Sequence, residues 1–421
     1  MFHRCLVAAW IPVLLLTVIS VLPVQAAEIP TAAPEDVGMS SQKLAKVDDA
    51  LNELVEQKRL AGGTVVVARR GKIVHFNSYG LADIQAKRPM RNDAIMRFYS
   101  MSKAITSTAV MMLADEGKLD VNDPVSKFIP ELSGQKVATS EGLVNARREV
   151  TIADLLRHTS GLTYGGSAFS DADAAFRKAD PLDPTRTLQQ MGQRLADVPL
   201  VFQPGEDWVY GISIDVLGRV IEVASQLSLD EFFQQRIFQP LDMPDTGFFV
   251  PEEKQDRFAQ VYHSDGKGKL TTGDNTGRAN FAKPRAFLSG GGGLVSTARD
   301  YLRFLMMIQQ GGHLDGQRIL SVKSVQLMTT SQLPPAVPHI YFGEQQRVGV
   351  GFGFGFSVRE KMSEWDPDGR IGEYGWGGMA STHYWVSPKD ELIVITLEQT
   401  LPYSFMTEFA VKGLIYDAID E

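Results

Sequence analysis

Apolar positions recur with helical spacing at both ends of the chain. In residues 41–56 they form one stripe, which predicts an amphipathic helix. The stripe consists of Leu44, Val47, Leu51 and Leu54. A second helical stretch is predicted near the C-terminus, from about Met406 to Ile419.

Two pairs of β-rich runs lie inside these helices. Residues 64–70 and 72–77 flank Gly71, and residues 382–386 and 391–397 flank a Pro-Lys-Asp turn. Each pair reads as a hairpin. We therefore predict an α/β (α+β) fold with one antiparallel sheet built from both termini and flanked by helices.

The middle of the chain, residues 102–290, has mostly helical patterning, including short helices at 151–156 and 216–224. Residues 163–184 and 333–343 read as loops, and the alternating glycines of 349–356 read as one strand. The predicted domain spans residues 27–421. Its α/β part is about 34–100 and 290–421, and the helical insertion is about 101–289.

The first 26 residues have the pattern of a secretory signal peptide. His3 and Arg4 precede an apolar run at residues 6–22, and small residues lead to a cleavage position after Ala26. We expect export to the periplasm or medium, with an uncleaved membrane anchor as the alternative. The single cysteine, Cys5, lies in this segment, so the mature chain has neither a disulfide nor a cysteine nucleophile.

Charge and histidine spacing exclude other classes of protein. The formal net charge of −8 argues against nucleic-acid binding. The seven histidines show no metal-ligand spacing, so neither a metal nor a cofactor is expected. The expected partner is a small-molecule substrate, with no stable membrane partner once the signal is removed. We expect His158 to make a structural hydrogen bond.

A Ser-x-x-Lys pattern occurs twice, at Ser40–Lys43 and Ser100–Lys103. The first copy opens a polar helix, where serine is an ordinary N-cap. The second precedes an apolar helix, so Ser100 and Lys103 share one face. A desolvated lysine there supplies a neutral amine as base, and the helix N-terminus favours an oxyanion. An N-cap serine beside an exposed lysine is the alternative reading.

Two later segments carry further candidates. Tyr210 follows a tight turn, where its phenol can relay a proton or simply pack. Trp376, Gly377 and Gly378 precede Met379 and a strong strand, and glycines let backbone N–H groups approach a ligand closely. The alternative is an ordinary glycine turn.

Together these segments resemble the serine β-lactamase and penicillin-binding-protein superfamily, in its class C-like branch, which includes β-lactamase-like carboxylesterases. Further landmarks follow in the expected order, at residues 155–162, 240–246 and 291–297. The resemblance implies that Ser100 is the acylated nucleophile, Lys103 its base or proton relay and Tyr210 the second base. It also implies that the N–H groups of Ser100 and Met379 form the oxyanion hole.

Two departures from the β-lactamase pattern narrow the expected chemistry. Ile212 stands where β-lactamases have a substrate-binding asparagine, and Trp376 stands where they have a lysine that holds the substrate carboxylate. With Gly377 and Gly378, Trp376 gives the Trp-Gly-Gly form of the esterases. We therefore expect a carboxylesterase. The alternatives are a β-lactamase, D,D-peptidase or D-aminopeptidase, and an inactive penicillin-binding or sensor domain.

Overall fold

The computed structural model describes residues 28–166, 170–273 and 280–420. The predicted signal segment, residues 1–26, lies outside them. Among the described residues, no helix is both long and apolar enough to cross a membrane. The described α-helices are α1 Ser41–Glu56, α2 Ser102–Asp115, α3 Ile152–Leu156, α4 Ser170–Ala179, α5 Leu188–Leu195, α6 Ser213–Ser225, α7 Leu229–Phe233, α8 Ala298–Gln309, α9 Val322–Thr329 and α10 Met406–Asp417.

Shorter helical turns lie between these helices. They are the 3₁₀ turns Pro34–Val37, Tyr99–Met101, Val125–Lys127, Pro130–Leu132 and Glu252–Arg257, and the π-helical turn Gln234–Phe238. The described strands are β1 Gly62–Arg69, β2 Lys72–Asp83, β3 Arg88–Pro89, β4 Met96–Arg97, β5 Lys136–Thr139, β6 Gly142–Asn145, β7 Tyr262–Ser264, β8 Leu270–Thr272, β9 Val295–Ser296, β10 His313–Leu314, β11 Gln317–Arg318, β12 Tyr341–Phe342, β13 Gln345–Gln346, β14 Val350–Phe352, β15 Ser357–Arg359, β16 Tyr374–Gly378, β17 Thr382–Ser387, β18 Leu392–Glu398 and β19 Thr400–Leu401.

The main sheet joins the two ends of the chain. Its order is β14-β15-β16-β17-β18-β1-β2-β3, and its paired strands run antiparallel. At the centre β1 pairs with β18, from Gly63 opposite Glu398 to Arg69 opposite Leu392. The predicted antiparallel sheet from both termini is confirmed.

Helices cover both faces of this sheet, and every residue of β1 is therefore buried. On one face Val65 and Val67 pack in a cluster with Leu44 of α1 and Val411 of α10. On the other face Val66 belongs to the main core, with residues of α2 and α8. The helical region between β3 and β14 supplies most of that core. The boundaries of its insertion stay a prediction.

The patterned elements agree with the sequence, and two loop or strand assignments do not. Residues 170–179 form α4 instead of part of a long loop. The predicted strand 349–356 ends at Phe352, and a turn follows before β15. The N–H of Gly353 donates to the carbonyl of Phe356 at 2.8 Å and closes this turn. A Cβ on Gly353 would lie 2.1 Å from the Met328 carbonyl oxygen, so the turn needs glycine at this position.

Candidate active site

Ser100 lies in the 3₁₀ turn Tyr99–Met101, immediately before α2. The chain enters this turn from β4, which pairs with β9, and the N–H of Phe98 donates to the carbonyl of Leu294. Tyr99 has φ of 43°, a left-handed conformation that is uncommon for a residue with a Cβ. The buried Tyr99 ring packs edge-on against Phe281 at 5.6 Å. Packing therefore supports a strained backbone directly before the serine.

Lys103 is almost completely buried and contacts three oxygen atoms. Its Nζ lies 3.3 Å from the Oγ of Ser100, 3.2 Å from the hydroxyl of Tyr164 and 2.6 Å from the carbonyl oxygen of Gly291. The Gly291 carbonyl and the Tyr164 hydroxyl, which itself donates to Asp215, accept two N–H groups of Lys103. The Ser100 hydroxyl can either accept from the third position of this nitrogen or donate to it. The arrangement fixes the Lys103 amine against Ser100.

Asp215 organises the residues around Lys103. Its carboxylate accepts hydrogen bonds from the Tyr164 hydroxyl at 3.1 Å, the Gly291 N–H at 3.0 Å and the Ser289 hydroxyl. Burial, and then the negative charge of Asp215, raise the pKa of Tyr164 well above its ordinary value. Tyr164 therefore stays protonated and connects Lys103 to Asp215.

This connection requires a glycine at position 291. A Cβ there would lie 2.3 Å from Oδ2 of Asp215 and 2.9 Å from the Tyr164 hydroxyl. The sequence analysis placed Gly291 in a family landmark but missed Tyr164, Asp215 and Ser289. Tyr164 stood in the predicted loop 163–184 and Asp215 immediately before the predicted helix 216–224, and no periodicity marks either position.

Tyr210 faces the same cavity from the other side of Lys103. The Lys103 Nζ lies 4.6 Å from the centroid of the Tyr210 ring, and the Tyr210 hydroxyl accepts a hydrogen bond from Nε1 of Trp376 at 3.3 Å. In the part of the chain that the structure describes, no hydrogen bond joins Tyr210 to Ser100. The structure thus brings Ser100, Lys103, Tyr210 and Trp376 together.

His158 packs behind Tyr210, with ring centroids 4.8 Å apart. It is fully buried, and neither ring nitrogen has a hydrogen-bond partner among the described residues. The expected structural hydrogen bond is therefore absent from the described contacts, because the ring lies among Trp208, Tyr210 and Phe352. Burial, with the nearby charge of Lys103, lowers the pKa of His158 well below its ordinary value, so the ring is neutral.

The Gly-Gly segment of β16 lies directly against the nucleophile turn. A Cβ on Gly378 would be 2.2 Å from the carbonyl oxygen of Phe98, so a larger residue cannot occupy this position without a backbone shift. Gly377, Gly378 and Met379 line the cavity with Ser100, and Met379 is half exposed. This approach places the backbone at Met379 near Ser100.

Ile212 does not join this group. Its side chain is fully buried in the main core, where it precedes α6, and Ile212 is not among the residues that line the cavity. We expected Ile212 to contact the substrate because it replaces the asparagine of β-lactamases. Its buried position does not support that expectation. Its apolar side chain is stabilised by burial in that core.

The cavity above Ser100 has a volume of about 840 Å³ and an aromatic wall. That is within the usual range for a small-molecule site. Its aromatic lining includes Tyr99, Tyr164, Tyr210, Phe342, Trp376 and Tyr403. Across residues 28–166, 170–273 and 280–420, no group of three or more His, Cys, Asp or Glu side chains is placed to hold a metal ion.

Known proteins that are similar to this chain include esterases. Protein Rv1367c of Mycobacterium tuberculosis is 36% identical over 364 residues, covering 84% of this chain and 89% of the relative. Esterase EstB of Burkholderia gladioli is 35% identical over 283 residues, covering 63% of this chain and 70% of EstB. A solved structure, described as EstCE1, a hydrolase with promiscuous acyltransferase activity, superposes with a TM-score of 0.78. It is 27% identical, and the match covers 89% of this chain and 99% of EstCE1.

The family profile described as Beta-lactamase matches residues 47–409, which include Ser100, Lys103, Tyr210 and the Trp376 segment. The resemblance expected from the sequence is confirmed, including the link to the esterase branch. The chain belongs to the beta-lactamase family, a family of β-lactamase-fold hydrolases with esterase and acyltransferase members.

Proposed function

We propose that this protein is a serine carboxylesterase that forms an acyl-enzyme on Ser100. The observation that carries the proposal is the 3.3 Å contact between the Lys103 amine and the Ser100 hydroxyl, at the base of an aromatic cavity. A hydroxyl beside a buried amine, in a cleft that admits a small molecule, is the arrangement of an activated serine nucleophile.

The reaction follows as two acyl transfers. As the Oγ of Ser100 bonds to the ester carbonyl carbon, its single proton passes to the Lys103–Tyr210 pair, one member of which starts unprotonated and is the base. The N–H groups of Ser100 and Met379 hold the resulting oxyanion. The carbonyl then re-forms as the bond to the alcohol oxygen breaks, and the pair returns the proton taken from Ser100 to that oxygen through the Tyr210 hydroxyl. Water then attacks the acyl-enzyme through the same groups and releases the acid and the free serine.

An ester fits this site better than a β-lactam. Trp376 donates its indole N–H to Tyr210, where a β-lactamase would present a lysine to the substrate carboxylate. An indole is uncharged and cannot form an ion pair with that carboxylate. An ester also leaves as an alkoxide, which requires less help from an acid than an amide nitrogen. The relatives EstB and EstCE1, which are described as an esterase and a hydrolase, support this choice.

The test compares p-nitrophenyl butyrate, nitrocefin and a D-Ala-D-Ala peptide with the wild-type protein. We expect turnover of the ester, and its loss to background in Ser100→Ala together with loss of covalent labelling by an active-site phosphonate. Ser40→Ala, at the duplicate motif, is the matched control and should retain full turnover. Preferred turnover of nitrocefin or the peptide would make the protein an amide hydrolase. A single acylation without turnover would make it a penicillin-binding or sensor domain.

The catalytic role of Tyr210 is tested by measuring kcat in a variant that lacks its hydroxyl. Tyr210→Phe keeps the ring against His158 and removes the hydroxyl. We expect kcat to fall about 10²–10⁴-fold, the usual contribution of a general acid or base. Full turnover in this variant would leave Tyr210 as a packing residue.

Export belongs to the same proposal and rests on the signal pattern of residues 1–26. Mass spectrometry of the protein recovered from the periplasm or medium should show an N-terminus at Ala27. Retention of Met1 in a membrane fraction would indicate the uncleaved anchor instead.

A further inference from the structure

The cavity continues past Trp376 to a second group, the guanidinium of Arg347. Arg347 follows β13, lines the same cavity as Ser100 and is only 6% exposed. Its Cζ lies 4.3 Å from the ring centroid of Phe342, 4.6 Å from that of Trp365 and 4.8 Å from that of Phe405. Three aromatic rings therefore fix the position of a buried cation.

Arg347 has a neutral partner, the hydroxyl of Tyr403, but not the carboxylate that a buried cation normally has. Among the described residues, no carboxylate oxygen lies within ion-pair distance of its guanidinium, and its Nε has no hydrogen-bond acceptor. Burial lowers the pKa of Arg347, which reflects the cost of holding its charge away from water. A buried guanidinium that lines a substrate cavity and has no carboxylate partner is suited to bind an incoming carboxylate.

The neighbouring carboxylates already have cationic partners. Lys412 contacts Asp366 at 2.8 Å, Glu373 at 2.6 Å and Glu408 at 3.0 Å, and Arg359 also pairs with Asp366. Glu408 acts on Arg347 only at longer range. These carboxylates are therefore engaged by other cations, and none of them neutralises the charge of Arg347 at contact distance.

The packing also indicates which part of an ester would reach Arg347. The Phe342 ring lies 5.6 Å from the Tyr210 ring and 6.0 Å from Trp376, and Arg347 stacks on that same Phe342 ring. In the proposed reaction Tyr210 protonates the departing alcohol oxygen. The alcohol portion therefore begins at the Tyr210 hydroxyl, beside Trp376, and extends along Phe342 towards Arg347.

We propose that Arg347 binds a carboxylate on the alcohol portion of the substrate, so that the preferred substrates are esters of hydroxy acids. This inference rests on the proposed esterase function. It adds a specificity residue at the far end of the cavity, one aromatic ring beyond Tyr210.

The test uses two matched esters, 3-(4-acetoxyphenyl)propanoate and its neutral carboxamide. Their phenol leaving groups ionise alike because two methylene groups separate each from the carboxyl or amide. We expect wild type to favour the carboxylate by about tenfold or more in kcat/KM, mainly through KM, as charge-assisted hydrogen bonds contribute on this scale. The preference should fall to about one in Arg347→Met and be partly kept in Arg347→Lys.

The ratio of the two esters within one variant cancels any loss of folded protein. Arg194→Met, on an exposed position of α5, is the matched control and should keep the wild-type ratio. A wild-type ratio near one, or a ratio that Arg347→Met leaves unchanged, would overturn the inference while ester hydrolysis itself stands. If a phenyl hemisuccinate and its succinamate respond to Arg347 instead, the assignment to the alcohol portion is wrong. Absence of hydrolysis of every ester, p-nitrophenyl acetate included, would instead refute the proposed function.

Discussion

At the scale of single residues, the site depends on close backbone approach as much as on reactive side chains. Gly378 lies against the carbonyl of Phe98, and Gly291 lies against Asp215 and Tyr164. Each glycine lets one segment come within contact distance of the Ser100–Lys103 pair. The backbone around the nucleophile is therefore determined by residues that carry no chemistry of their own.

Gly378→Ala tests this dependence. The new methyl group would collide with the Phe98 carbonyl, so β16 must move and displace the N–H of Met379 from the proposed oxyanion hole. Loss of one such donor costs about 10²–10³-fold in kcat. We expect p-nitrophenyl butyrate hydrolysis to fall on that scale.

Gly247→Ala is the matched control, because the nearest atom to its added Cβ is at an ordinary 3.8 Å. It should keep both its melting temperature and its kcat. Wild-type kcat in Gly378→Ala would show that the N–H of Met379 does not hold the oxyanion.

At the scale of elements, one buried lysine anchors the last helix to the sheet. Lys412 of α10 is 2% exposed and contacts three carboxylates, two of which precede β16 and one of which lies a turn earlier in α10. Its surrounding carboxylates raise the pKa of Lys412 despite its burial, so it stays charged. This cluster positions α10 beside the far end of the cavity.

Lys412→Met should therefore be strongly destabilising. Removing the cation leaves Asp366, Glu373 and Glu408 short of positive charge in a buried site, which costs about 3–5 kcal/mol in comparable cases. Urea unfolding should show that loss in the free energy of unfolding. Lys43→Met, which breaks an exposed pair with Asp420, is the matched control and should cost less than about 1 kcal/mol. Equal effects of the two variants would contradict an anchoring role.

At the scale of the whole molecule, the pairing of β1 with β18 joins the two ends of the chain and buries polar groups between covering helices. Glu398 at the end of β18 is fully buried, and its Oε1 accepts a hydrogen bond from Thr407 of α10. Burial raises the pKa of Glu398 from its ordinary 4.5 to about 7. The folded protein therefore keeps a proton that the unfolded chain has lost.

This difference predicts how stability changes with pH. Between about pH 4.5 and 7 the folded state binds more protons at Glu398 than the unfolded state, so its contribution to stability falls as pH rises. In Glu398→Gln the side chain at position 398 cannot ionise, so its contribution to stability does not fall as pH rises. We expect the variant to gain stability relative to wild type between pH 5 and pH 8, as measured by urea unfolding. Glu53→Gln, exposed on α1, is the control, and a pH-independent difference for Glu398→Gln would contradict the prediction.

The sequence alone determined the elements that have clear periodicity and the order of the family motifs. The stripe of α1, the hairpins on either side of Gly71 and of the Pro-Lys-Asp turn, and helix α10 follow local periodicity, which depends on neighbouring residues only. The Ser100–Lys103 spacing and its order with Tyr210 and Trp376 are likewise visible in one dimension. These features were sufficient to predict the fold class and to recognise the family.

The tertiary structure decided which other groups line the cavity of the nucleophile. Tyr164, Asp215 and Arg347 are far from Ser100 in sequence, and they line its cavity because loops and helices from separate parts of the chain pack together. Ile212 is buried in the core instead of lining the cavity. Residues 170–179 form a helix whose pattern in the sequence is obscured by small polar residues. Contacts of this kind depend on long-range packing, which no local pattern encodes.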